Sequence, residues 1–194
     1  LDISPDWLRD APAPEGRIPL YLDPGLAFGT GNHASTRLCL EWVEELVRPG
    51  EGALDLGCGS GILSIAALLL GCGSAAGVDI DPKAVDVAYE NAALNGIGRD
   101  RYTVLAGDVI GDPSLRRELA ARKYGLVMAN IVADVIIPLA PHVKELLAPG
   151  GTFLCSGIID TRCEEVRAAL EANGLNVLGR KDRDGWVAYA ARPA

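Results

Sequence analysis

The stretch Asp55-Leu56-Gly57-Cys58-Gly59-Ser60-Gly61-Ile62 decides how the rest of the chain is read. It begins in a short apolar run, 53–56, passes through a glycine at every second position, and enters an apolar helical stretch at Ile62. A strand that turns directly into a helix in this way lies at the carboxyl end of an open α/β sheet, where such folds bind ligands. Glycine lets the backbone there approach a ligand closely. A G-x-G-x-G turn is also a common packing device between strand and helix, so its surroundings carry the argument.

Outward from this turn, short apolar runs alternate with helical patterns. Strands are expected at 53–56, 75–79, 102–106, 126–130 and 152–156, and helices at 62–70, 82–95, 114–122, 132–147 and 161–173. Alternation of this kind builds crossover units on a parallel sheet. After Gly174 the pattern changes to two strands, 176–180 and 186–191, joined by the charged turn 181–185. Such a pair closes the sheet as an antiparallel pair at one edge. The expected architecture is therefore α/β: a Rossmann-like, seven-stranded, mostly parallel sheet with an antiparallel edge strand. Ahead of it, 36–47 reads as an amphipathic helix capped by Ser35 or Thr36 and ended by Pro49-Gly50. Residues 1–25 carry Pro5, Pro12, Pro14, Pro19 and Pro24 and no periodicity, which reads as a linker or approach segment to a catalytic domain at 26–194. The chain opens without methionine, so residues upstream of Leu1 are expected.

Composition narrows the function. At 194 residues the chain fits one large domain with its own core, and no run reaches the ~18–20 apolar residues of a membrane-spanning helix. Five cysteines without a C-x-x-C pair argue against both a disulfide framework and a zinc knuckle, and two histidines against a histidine-rich metal site. The cysteines are expected to be reduced and mostly buried, His33 and His142 to be capping or surface residues, and no metal is expected. A net charge of -8 disfavours binding to a phosphate backbone and suits a basic protein partner. The expected setting is cytoplasmic, with no direct nucleic-acid contact and no membrane.

Several residues fall where ligand chemistry is expected. Gly57 and Gly59 open the turn to a ligand, and Asp79, at the tip of the second strand of the series, can accept hydrogen bonds from both ribose hydroxyls of a nucleoside. Ile80 then flanks the adenine. Asp81 suits a helix cap ahead of Pro82. Asp108, after the third strand, either accepts from the adenine amino group or caps a turn. A dinucleotide dehydrogenase is the main rival, but its G-x-G-x-x-G/A fingerprint needs a small residue where this chain has Ile62. A noncatalytic cofactor-binding module is the other.

Four motifs in order make the comparison specific: 22–36 with its Phe28-Gly29-Thr30-Gly31-Asn32-His33 core, 55–63, Gly77-Val78-Asp79-Ile80-Asp81-Pro82, and Ala129-Asn130-Ile131. Together they resemble the catalytic domain of the bacterial methyltransferases that modify large-subunit ribosomal protein eleven, from about Ile3 to Trp186. The resemblance implies a class I S-adenosylmethionine-dependent fold and cofactor contacts from Thr36, Gly57, Asp79 and Asn130. Thr36 opens a helix whose positive end can hold the methionine carboxylate. Asn130 either accepts a hydrogen bond from an incoming amine, as a catalytic residue, or anchors the methionine portion. Phe28 and the loop carrying Thr30 are expected to wall the amine channel beside the cofactor. The chain departs from the family in Asn32-His33-Ala34-Ser35-Thr36, where Thr-His-Pro-Thr-Thr is usual, and nothing in it corresponds to the family's separate substrate-docking domain.

The expected reaction is transfer of methyl groups from S-adenosylmethionine to protein amino nitrogens, lysine side chains and an N-terminal α-amine, of a large-subunit ribosomal protein. Another protein or a small-molecule amine is the alternative acceptor. Asn130-Ile131-Val132-Ala133 in place of an Asn-Pro-Pro-Tyr type sequence argues against adenine or glutamine amide.

Overall fold

The computed structural model describes residues 1–5, 14–23 and 33–194. In chain order the elements are β1 (Asp2–Pro5), β2 (Pro19–Leu22), α1 (Ala34–Leu46), β3 (Gly52–Leu56), α2 (Ile62–Leu69), β4 (Ser74–Asp79), α3 (Pro82–Leu94) and β5 (Tyr102–Ala106). They continue with α4 (Pro113–Ala120), β6 (Tyr124–Asn130), α5 (Ala133–Leu146), β7 (Leu147–Ile159), α6 (Cys163–Ala172), β8 (Leu175–Arg183) and β9 (Trp186–Pro193). Seven strands form one sheet in the order β5-β4-β3-β6-β7-β9-β8. The first five are parallel, and β9 pairs antiparallel with both β7 and β8. The antiparallel pair therefore sits at one edge as expected, with the last strand in the inner place and β8 outermost.

Both faces of the sheet are covered, which is why the central strands are nearly continuous apolar runs. Alternate residues face opposite layers. Ala53, Leu126 and Met128 join the core under α1, α2 and α3, whereas Leu54, Leu56, Val127 and Ala129 join the one under α4, α5 and α6. Helix α5 runs through Pro138 and Pro141, each lacking a backbone donor, and stays helical because Ile136, Leu139, Ala140, Val143 and Leu146 are buried against the sheet. Among the described residues no helix is long and apolar enough to cross a membrane. All five cysteines are free and buried.

Two local expectations are corrected. Helix α1 begins at Ala34, with His33 as its cap: His33 Nδ1 accepts the Ser35 N–H at 3.3 Å, a role the sequence suggests for Ser35 or Thr36. The turn expected over 181–185 is only Asp184-Gly185, because β8 stays paired with β9 as far as Arg183 opposite Trp186. Asp184 and Gly185 both have positive φ, 51° and 78°, the combination that matches the twist of a two-residue hairpin. Within 1–25, β1 and β2 pair in parallel, and Leu20 and Leu22 are buried in the same core as α1 to α3.

Candidate active site

The glycine turn is held open by its own backbone. Gly57, Gly59 and Gly61 have φ of 74°, 49° and 78°, a left-handed region in which L side chains are strained. The N–H groups of Gly57 and Cys58 donate to the Val78 carbonyl at 2.8 and 3.1 Å, which pins the turn to β4. One residue on, the Gly59 N–H donates to Asp79 Oδ2 at 2.8 Å, and the Asp81 N–H donates to Oδ1 at 3.0 Å. Asp79 is thus fixed before any ligand arrives, and each carboxylate oxygen keeps a further lone pair. Asp81 caps α3 through the Lys83 N–H with Pro82 in the first turn, as its sequence context indicates.

Two cavities meet at this turn. The first, about 280 Å³, lies between the tips of β4 and β5 and is lined by Val78, Asp79, Ile80, Asp108, Val135 and Leu139, among others. It is apolar with carboxylates at the rim, and Ile80 is 75% exposed there. Asp108 Oδ1 accepts the Ile110 N–H at 2.9 Å, so Asp108 secures its own turn and also lines the cavity. The second cavity, about 460 Å³, is lined by His33, Thr36, Gly59, Asn130, Val132 and Trp186, among others. Gly57 and Ile131 belong to both. A Cβ on Gly57 would lie 2.6 Å from Ile131 Cγ2, so only glycine allows the Ile131 side chain to stand between the cavities.

The wall of the second cavity around Asn130 is assembled from distant parts of the chain. Asn130 Nδ2 donates to Thr36 Oγ1 at 3.1 Å across 94 residues of sequence. Its carbonyl oxygen, Oδ1, is buried with no hydrogen-bond partner among the described residues. An unpaired buried acceptor is costly, about 1–3 kcal/mol, and marks a place where a donor belongs. Ile131 is set by β7: Gly157 has φ 81°, and a Cβ there would come within 2.7 Å of the Ile131 carbonyl oxygen. Trp186, the first residue of β9, stacks edge-on against the His33 ring with centroids 4.6 Å apart. The Ser156 hydroxyl, within β7, lies 3.2 Å from the carbonyls of both Ser35 and Val187 and can donate to either, joining α1 to β9.

Behind the glycine turn, Asp55 is 1% exposed and accepts the Ser64 hydroxyl at 3.3 Å. Burial pushes its carboxyl up to about 7, countered in part by the Ser64 hydrogen bonds and reinforced by the negative charge of Asp79. Burial and the same two carboxylates also push the Cys58 thiol far above its ordinary range, so it is no nucleophile at neutral pH. Among the described residues no group of three metal-ligating side chains stands together.

The structure therefore gathers Thr36, Gly57, Gly59, Asp79, Ile80, Asp108 and Asn130 around two joined cavities. Phe28 and Thr30 lie outside the described residues. Sequence reasoning missed Ile131, Gly157 and Trp186 as site residues. Ile131 reads as an ordinary apolar residue and Trp186 as the start of an edge strand. The glycine before the apolar pair 158–159 was the one available signal, since a glycine inside a strand pattern suggests a bulge.

A parallel sheet with one reversed strand inserted beside its edge, a glycine turn after the first central strand and an acid at the tip of the next together define the class I methyltransferase fold. A family model described as ribosomal protein L11 methyltransferase (PrmA) matches residues 1–193. The ribosomal protein L11 methyltransferase of Symbiobacterium thermophilum is 45% identical over 192 residues, covering 98% of this chain and 59% of the relative. Among solved structures, the crystal structure of ribosomal protein L11 methylase from Lactobacillus delbrueckii subsp. bulgaricus superposes with a TM-score of 0.86 at 31% identity, covering 97% of this chain and 92% of that one. An O-methyltransferase family protein from Burkholderia thailandensis, at 17% identity and a TM-score of 0.66 over 82% of this chain and 56% of that one, shares the fold. The chain belongs to the ribosomal protein L11 methyltransferase family. It spans about three fifths of the length of the curated relatives it matches.

Proposed function

We propose that this chain is the catalytic domain of a methyltransferase that moves methyl groups from S-adenosylmethionine to amino nitrogens of ribosomal protein L11: lysine side chains and an N-terminal α-amine. The observation that carries this reading is the Oδ1 of Asn130, buried and unpartnered among the described residues, on a residue that lines a cavity joined to a nucleoside-sized apolar pocket through Gly57 and Ile131. The residues present fit the cofactor. The pocket beside Ile80 and Asp108 would take the adenine, Asp79 the ribose hydroxyls, and Gly59 with Thr36 at the amino end of α1 the methionine portion.

When bound, S-adenosylmethionine would supply an electrophilic methyl group, carried on a positively charged sulfur, for transfer to the amine nitrogen. Everything else falls to the protein. Asn130 Oδ1 accepts a hydrogen bond from the acceptor amine and aims its lone pair, and Thr36 holds the Asn130 amide so that the carbonyl is the end presented. Val132 and Trp186 lend the cavity an apolar lining, which favours the neutral amine over the ammonium. No strong base is required.

A ribosomal acceptor accords with the acidic chain and with a cytoplasmic site of action, and neither nucleic acid nor membrane is engaged directly. Ile62, buried at 4% exposure where a dinucleotide site needs a small residue, weighs against the dehydrogenase alternative. Mass spectrometry of the ribosomal protein after incubation with enzyme and S-adenosylmethionine tests the proposal. Methyl increments on its amines are expected. Binding of S-adenosylhomocysteine without increments points to another acceptor, and binding of a nicotinamide dinucleotide instead would overturn the methyltransferase reading.

A further inference from the structure

Asn91 is fully buried in the middle of α3, an unfavourable place for a residue of modest helix propensity unless both ends of its amide are satisfied. Both are. Its Nδ2 donates to the Ser60 carbonyl in the glycine turn at 2.9 Å, and its Oδ1 accepts the Asp23 N–H at 2.9 Å, just past β2. One turn later, Asn95 pairs with the backbone of Tyr21, accepting its N–H at 2.9 Å and donating to its carbonyl at 2.8 Å. The Asn95 Nδ2 also donates to the Asn91 carbonyl at 2.8 Å. Strand β2 has β1 along one edge, and these two side-chain amides stand in for a strand along the other. Helix α3 is packed too closely on the turn to slide along it, because even a methyl group at Gly61 would lie only 3.1 Å from Ala88 Cβ.

We infer that Asn91 is a positioning residue that couples the glycine turn to β2, so that a ligand seated on the turn also stiffens the strand that leads the chain toward α1. Among the described residues, strand β2 lines neither cavity. Asn91 bonds both to the turn and to the segment after β2, whereas Asn95 bonds to β2 and to the Asn91 carbonyl but not to the turn. Coupling of this kind needs no change of shape: ordering one end of a hydrogen-bonded link lowers the entropy left to lose at the other.

The inference rests on the reading that the turn binds S-adenosylmethionine and its product, and hydrogen–deuterium exchange on the whole chain separates the two. Without ligand, Asn91→Ala is expected to speed exchange about fivefold in peptides over both 57–61 and 19–23, the equivalent of one lost hydrogen bond at each end. Asn95→Ala should speed only 19–23. With S-adenosylhomocysteine, the unaltered chain and Asn95→Ala should slow at 57–61 and at 19–23, and Asn91→Ala at 57–61 alone. Asn91→Asp keeps the acceptor for Asp23 but sets a carboxylate against the Ser60 carbonyl. It should leave 19–23 near its normal rate while losing the ligand response there, which a general loss of stability would not do. Ligand protection at 19–23 that survives in Asn91→Ala, or ligand-free exchange at 57–61 unchanged by that substitution, overturns the coupling. If S-adenosylhomocysteine leaves 57–61 untouched in the unaltered chain, the cofactor reading falls, and the ligand-free comparison still decides the link.

Discussion

The nucleoside side and the acceptor side of the site are built in opposite ways. On the nucleoside side, Gly57, Gly59, Asp79 and Asp81 come from one strand-turn-helix unit and the strand beside it, and their bonds join backbone groups to a single carboxylate. On the acceptor side, Thr36 meets Asn130 across 94 residues, and Ser35 meets Ser156 across 121. The first is rigid before a ligand arrives. The second keeps one acceptor unpaired among the described residues, which costs stability and leaves a specific place for a donor. Binding and turnover should therefore respond to different residues.

The largest effect should come from the acceptor side. Asn130→Ala is expected to lower methyl-transfer kcat about 100-fold, the scale of a misplaced reacting group, while S-adenosylhomocysteine binds less than about tenfold more weakly. Equal losses in the two measurements would make Asn130 a cofactor anchor and erase the contrast between the two sides. Next, Asp79→Ala should weaken S-adenosylhomocysteine binding by about 1.5–3 kcal/mol, measured by calorimetry, because it removes the ribose acceptor and the partner of the Gly59 N–H. Unchanged affinity in a folded variant would take Asp79 out of the site.

Thr36→Val tests how the acceptor side is held. It removes the partner of Asn130 Nδ2 and should lower kcat about tenfold, near 1.4 kcal/mol, with the Asn130→Ala background cancelling most of the loss. Additive losses in that double variant would show that Thr36 acts on the cofactor and not through Asn130.

The smallest effect on turnover concerns Asp55 behind the turn. Its carboxyl is held at about 7 in the folded chain, above the ordinary 3.8, so between these values the folded state keeps a proton that the unfolded chain has released. The stability this contributes is complete below about pH 4 and is lost as pH rises through 7. Relative to Asp55→Asn, which stays neutral, the native chain should lose up to about 4 kcal/mol, roughly 8–16 °C in Tm, between pH 4 and 8. A gap in Tm that does not change with pH would mean that Asp55 is ionised throughout.

The sequence by itself determined the layer order, the seven strands and the nucleoside side. Apolar runs buried on both faces, helices of period 3.6 and glycines at alternate positions are local signals, and the bonds they lead to span about twenty residues or are held in a single turn. Only the tertiary structure decided which residues complete the acceptor side. His33, Ile131, Gly157 and Trp186 lie on four separate elements or their connections, and they converge because β9 inserts between β7 and β8 and brings Trp186 against His33. The docking of β2 through Asn91 and Asn95 was decided in the same way. An asparagine in a helix carries no sign of the distant carbonyl or N–H that it will meet, since that pairing exists only once the helix has packed.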